Sequence, residues 1–192
     1  IRLDIDDRND ITVIPRLLYS INQGDYDMLQ WFVQKRVRYA LGLPGNGINQ
    51  GIASGVSAER LAQIRNEAKE SRFGNVVNFP FIAAVDAWPE TNLPFDSSKP
   101  LNSSIRTLFI TGDLDCRTPV NQINELQNEF SNSTHLVVKN VGHEGTLWNV
   151  PVFDRVLPTF LKGEEMNETE ITLKKKAFIP VTGESKGHPS LK

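Results

Sequence analysis

The residues that most restrict what this chain can fold into are Ile105-Arg106-Thr107-Leu108-Phe109-Ile110-Thr111, a short apolar, β-branched run stopped by Gly112. Such a run predicts a strand buried in a parallel sheet. Asp113 to Arg117 then reads as a turn, and Thr118-Pro119 as a helix entry, with Val120, Ile123, Leu126 and Phe130 recurring at helical spacing. Leu136-Val137-Val138 predicts the next strand, and Val141-Gly142-His143 the loop after it. A strand, a helix and a second parallel strand of this length form a right-handed crossover, which sets the two loops side by side. Those loops lie past the carboxyl ends of the strands, where open α/β sheets carry their reactive groups. Asp115 and His143 are therefore expected to meet.

Each of the two has an ordinary reading when taken alone. Asp115 would be a turn aspartate capping the helix at Thr118, and His143 a loop histidine. At the ends of successive parallel strands they make a pair with a chemistry of its own. A carboxylate that accepts the imidazole Nδ1 proton fixes the tautomer and leaves Nε2 free to take a proton from a hydroxyl nucleophile. Asp113 is a rival for the acid, two residues nearer the strand end. Arg117 can pair with Asp113, or stand solvated at the surface.

The stretch from Asn75 to Gly163 resembles the carboxyl-terminal, TAP-like region of α/β-hydrolases related to tripeptidyl and prolyl aminopeptidases. The residues carrying the resemblance are Asn78-Phe79-Pro80-Phe81, Ala87-Trp88-Pro89, Gly112-Asp113-Leu114-Asp115 with Arg117-Thr118-Pro119, and Val141-Gly142-His143. Upstream, Ile14-Pro15 and Asn22-Gln23-Gly24-Asp25-Tyr26 are similar to the cap region of those enzymes. The resemblance implies an α/β fold, the carboxyl-terminal portion of an α/β-hydrolase sheet with a helical cap region. It implies Asp115 as catalytic acid and His143 as general base of a serine hydrolase that cleaves at the amino terminus of peptides. An esterase or other acyl hydrolase on the same fold, and a non-catalytic binding module, are the alternatives.

One departure from the family pattern is plain: no Gly-x-Ser-x-Gly occurs in the sequence. Ser54, in Gly51-Ile52-Ala53-Ser54-Gly55, lacks the glycine two places before it and has no strand ahead of it, so it is not assigned as the nucleophile. The chain is expected to supply acid and base but no nucleophile, and to be inactive by itself. Its expected partners are a peptide or small acyl substrate and the amino-terminal half of the same enzyme, or a second copy of itself.

Composition bounds the remainder. With 192 residues, 39% hydrophobic content and a negative mean hydropathy, the chain has the make-up of an ordinary globular protein. A formal charge of −2 offers no electrostatic footprint for nucleic acid or an anionic membrane, and no apolar run has the length of a bilayer span. Cys116 has no second cysteine with which to form an internal disulfide, which leaves the compartment open. No cofactor or metal is expected. The start at Ile1, without methionine, fits a processed or truncated product. Asn102, Asn132 and Asn167 open glycosylation-type triplets, read as surface loops.

Three regions are expected along the chain. Residues 1–75 read as a helical cap or lid, with helices from Pro15 to Gln23, from a cap at Asp25 toward Leu41, and from a cap at Ser57 toward Glu70. Gly42 to Gly55 between them is glycine-rich but lacks the Lys-Ser/Thr ending of a phosphate loop, so it reads as a connector or lid loop. Residues 76–163 form the α/β portion, ending in a helix with Phe153, Val156, Leu157, Phe160 and Leu161 on one side and a kink at Pro158. Residues 164–192 read as a tail with Lys174-Lys175-Lys176 and a strand-like piece at Ala177 to Val181. Trp31, Phe32 and Tyr39 are expected to pack the cap, and Trp88 to pack in the core. Glu144, beside the histidine, reads as a solvent-facing residue that is also placed to hold a substrate amine.

Overall fold

The computed structural model describes residues 10–41, 57–78 and 101–183. The Gly42 to Gly55 loop with Ser54, Phe79-Pro80-Phe81, Ala87-Trp88-Pro89 and His188 lie outside the described residues. Two compact units are present, one drawn from residues 1–33 and 101–192 and the other from residues 34–100.

In the first unit the expected crossover is formed. Strand β1, Thr107–Gly112, pairs in parallel with β2, Ser133–Lys139, in a register running from Thr107↔Ser133 to Gly112↔Val138. A helix at Val120–Gln127 connects them. A third parallel strand, β3 at Glu170–Thr172, adds to β2 through Val137↔Glu170 and Val138↔Ile171, giving the order β1-β2-β3. This strand lies in the segment expected to be a tail. It offers the sequence little to read, being three residues long with one apolar side chain, Ile171, turned into the core.

Under the sheet, Leu136, Val138, Val141, Val152, Val156 and Ile171 form a buried cluster, with Leu108, Ile110 and Leu157 packed against it. Fully burying side chains of this size stabilises the fold by about 2 kcal/mol each before entropy is counted. Val156 and Leu157 pack here as expected, but Val152 is buried where Phe153 was expected, and Phe153 and Leu161 are exposed. The phase differs because the chain after β2 is not one helix. A short helix at His143–Leu147 is followed by a π-helical turn at Val152–Val156 and then by Leu157–Leu161. Pro158, with no N–H and a ring that crowds the preceding turn, sits at the start of the last piece, just where the wider turn ends.

The amino-terminal elements are α1, Ile14–Asn22, and α2, Asp27–Leu41. Gly24 has a φ of +79° between them, and the Asp25 carboxylate accepts the Asp27 N–H at 3.1 Å. Val13, Leu17, Met28 and Phe32 are buried together, and Trp31 meets Phe32 edge to face. Ile179 packs on this cluster and donates its N–H to Thr12 O at 2.9 Å, so the Ala177 to Val181 piece is anchored there without belonging to a strand. In the second unit α3, Ala58–Glu70, starts at Ser57, whose hydroxyl accepts the Arg60 N–H. No helix among the described residues is long and apolar enough to cross a membrane.

Candidate active site

Gly112 is the reason the two loops can touch. A Cβ on it would stand 2.4 Å from Val141 O and 2.7 Å from Thr146 Oγ1, closer than atoms can approach, so the β2 loop crosses the end of β1 only over a glycine. Backbone bonds then tie the loops, from Asp113 N to Val138 O and from Leu114 N to Val141 O, each 3.0 Å. Asp113 is a tie of the same kind. Its Oδ1 accepts the Asn140 N–H at 2.7 Å and the Val141 N–H at 3.4 Å. Asn140 itself has a φ of +63°, a left-handed conformation that asparagine tolerates, and its side-chain amide reaches Leu173 O after β3. The sequence marks Asp113 as a rival acid; the geometry makes it the brace between the loops.

Within this frame Asp115 Oδ2 and His143 Nδ1 are 2.9 Å apart. The carboxylate is almost sealed, with 3% of its side chain exposed against 35% for the histidine. Its other donors are the backbone N–H groups of Arg117 at 2.8 Å and Thr118 at 2.9 Å, both to Oδ1, and the Thr118 hydroxyl at 2.6 Å to Oδ2. Asp115 is thus a turn-capping aspartate and a histidine partner at once. Burial pushes its pKa up, but the bonds from the Thr118 hydroxyl and N–H, the His143 ring and the Arg117 N–H outweigh that and hold it below its usual value. An ionised Asp115 needs a proton on Nδ1, which places the free lone pair of the neutral ring on Nε2.

His143 and Asp115 line an open cleft of about 710 Å³ together with Leu108, Ile110, Glu144 and Trp148. Trp148 is 73% exposed and stacks at a tilt on Phe153. Among the described residues no basic side chain lines the cleft, and no group of three His, Cys, Asp or Glu is gathered as a metal would need. His135 is elsewhere. It bonds Thr111 Oγ1 at 2.8 Å on the face of β1 opposite Leu108 and Ile110, and burial lowers its pKa. The sequence reading missed Asn140 and the bracing part of Asp113. A glycine closing one strand and an asparagine closing the next are the signals that could have pointed to a tight contact between loops.

Comparison with known proteins agrees with the fold. Residues 75–172, just over half of the chain, match the family model described as TAP-like protein. Searches of curated proteins and of solved structures gave no match. The parallel sheet, its crossover and this match together make the chain a member of the TAP-like α/β-hydrolase family, carrying the carboxyl-terminal part of the fold.

Proposed function

We propose that Asp115 and His143 are the acid and base of a serine-hydrolase triad whose serine and oxyanion hole come from a segment outside these residues, and that the assembled protein cleaves peptides at their amino terminus. The observation that carries the reading is the 2.9 Å contact between a sealed carboxylate and a half-exposed imidazole at the carboxyl ends of adjacent parallel strands. In this mechanism Nε2 of His143 takes the serine hydroxyl proton as the oxygen attacks the scissile carbonyl. The imidazolium so formed is stabilised by Asp115, and it returns the proton to the leaving amine. Water then repeats the sequence on the acyl-enzyme.

Two further features support the reading. Strand β1 is the edge of the described sheet, so a further parallel strand can pair there and bring its own loop beside Asp115 and His143. Among the described residues the cleft combines apolar Leu108, Ile110 and Trp148 with the Glu144 carboxylate, which suits an apolar side chain next to a cationic amino terminus.

Treatment with a fluorophosphonate, read by intact mass, tests the proposal. The 192-residue chain alone is expected to give no adduct. Joined to the segment that supplies a Gly-x-Ser-x-Gly elbow, it is expected to give one adduct on that serine, lost in His143→Ala. A stoichiometric adduct on Ser54, or labelling of the elbow serine that survives His143→Ala, refutes the assignment. Light scattering tests the edge: the chain alone is expected to self-associate, and a monodisperse monomer at high concentration would show that β1 needs no partner.

A further inference from the structure

Thr118 stands closer to the Asp115 and His143 pair than any reading of the sequence suggests. Its hydroxyl lies 2.6 Å from Asp115 Oδ2, and that same oxygen lies 2.9 Å from His143 Nδ1. The third side of the triangle, Thr118 Oγ1 to His143 Nδ1, is 3.2 Å. A hydroxyl carries one proton. If Thr118 gave it to Nδ1, the bare nitrogen would have to be facing a carboxylate lone pair at 2.9 Å; given to Oδ2, it leaves Nδ1–H to donate to the same oxygen. The geometry therefore assigns the threonine proton to Oδ2, shorter than the other two contacts, as expected for O–H donating to a charged oxygen.

We infer that Thr118 is a positioning residue that moderates the basicity of His143 through the carboxylate oxygen the two side chains share. A carboxylate oxygen that already accepts a short O–H bond holds less charge for the imidazolium, so the histidine is stabilised less in its charged form than by Asp115 alone. The backbone N–H groups of Arg117 and Thr118 occupy Oδ1, which leaves Oδ2 to the ring and the Thr118 hydroxyl. Among the described residues the titratable groups lining the cleft beside His143 are Asp115 and Glu144, the latter on its own helix. The inference rests on His143 being the base of the proposed triad, but a ring titration needs no turnover and no nucleophile, so its outcome is independent of whether hydrolysis is found.

The experiment is the NMR titration of the His143 ring in the 192-residue chain and in Thr118→Val, Thr118→Ser and Glu144→Gln. Removing the hydroxyl while keeping the side-chain shape is expected to raise the His143 titration midpoint by about half a unit to one unit. The serine variant, which keeps the hydroxyl, is expected to stay within about 0.2 unit of the parent. Glu144→Gln is expected to shift the parent and Thr118→Val by equal amounts. Asp115→Asn is expected to erase the difference between threonine and valine, since the shared oxygen no longer carries charge. A purely structural Thr118 gives the opposite sign, because a loosened carboxylate leaves the imidazolium and the midpoint falls. A fall or no change in the valine variant, or a serine variant that moves as far as the valine one, overturns the inference. Far-UV circular dichroism on each variant confirms that the fold compared is the same.

Discussion

The three-stranded unit and helix α3 are held in opposite ways. In the sheet, residues far apart in sequence close one core: Val138 in β2, Val152 and Val156 in the π turn and Ile171 in β3 are buried against each other. Helix α3 buries none of its side chains among the described residues. The side-chain bonds described along it are local, from Arg60 N to Ser57, Arg60 to Gln63, Gln63 to Glu67 and Lys69 to Asn66. Local bonds of this kind contribute tenths of a kcal/mol each, and a helix of 13 residues whose Leu61, Ile64 and Ala68 are only half-buried draws little from packing. The candidate site sits wholly on the non-local side. Its geometry is inherited from the core, whereas α3 carries few constraints of its own.

The largest test of that difference is Gly112→Ala. The added methyl meets a backbone carbonyl, Val141 O, which cannot turn aside without pulling the loop off the strand end. We expect a loss of about 3 kcal/mol in urea unfolding of the sheet unit, with His143 displaced from Asp115. A loss below about 1 kcal/mol would mean that the close approach at Gly112 is not what holds the loops.

Asp115→Asn comes next. The carboxylate accepts four donors in a nearly sealed position, and an amide in its place would point two N–H groups at the Thr118 hydroxyl and the His143 N–H. A loss of about 2 kcal/mol at neutral pH is expected. The pH dependence has a definite sign. Because the folded pKa of Asp115 lies below its usual 3.8, its stabilisation is complete above that value and is lost as the pH falls through the folded one. The gap between parent and variant should therefore shrink on acidification below 3.8, and a gap that stays constant would show that the loss has nothing to do with ionisation.

The same contrast explains what could be read from the sequence. Apolar runs reach across the sheet, so the run at Ile105 to Thr111 and Leu136-Val137-Val138 were enough to place β1, β2 and the loops carrying Asp115 and His143. The caps at Asp25 and Ser57 were legible because capping is a local matter. Hidden were the features set by tertiary contact: β3, whose single buried side chain is Ile171; the π turn ahead of Pro158; and the brace from Asp113 to Asn140 and Val141. Each depends on which partner lies alongside, and no spacing within the chain records that.

The smallest effect expected is at Ser57. Replacing it with alanine removes the acceptor for the Arg60 N–H, one of the unpaired donors at the start of α3, and costs the helix about 1 kcal/mol. In a cooperative unit that loss would appear throughout; in a helix held by its own bonds it should appear only there. Hydrogen exchange separates the two. Amides of α3 are expected to exchange faster in Ser57→Ala, while those of Ile110, Leu136 and Val138 keep their protection and the urea midpoint of the sheet unit stays in place. If protection falls in β1 and β2 as well, α3 is coupled to the core and the division between locally and non-locally held parts of this protein is wrong.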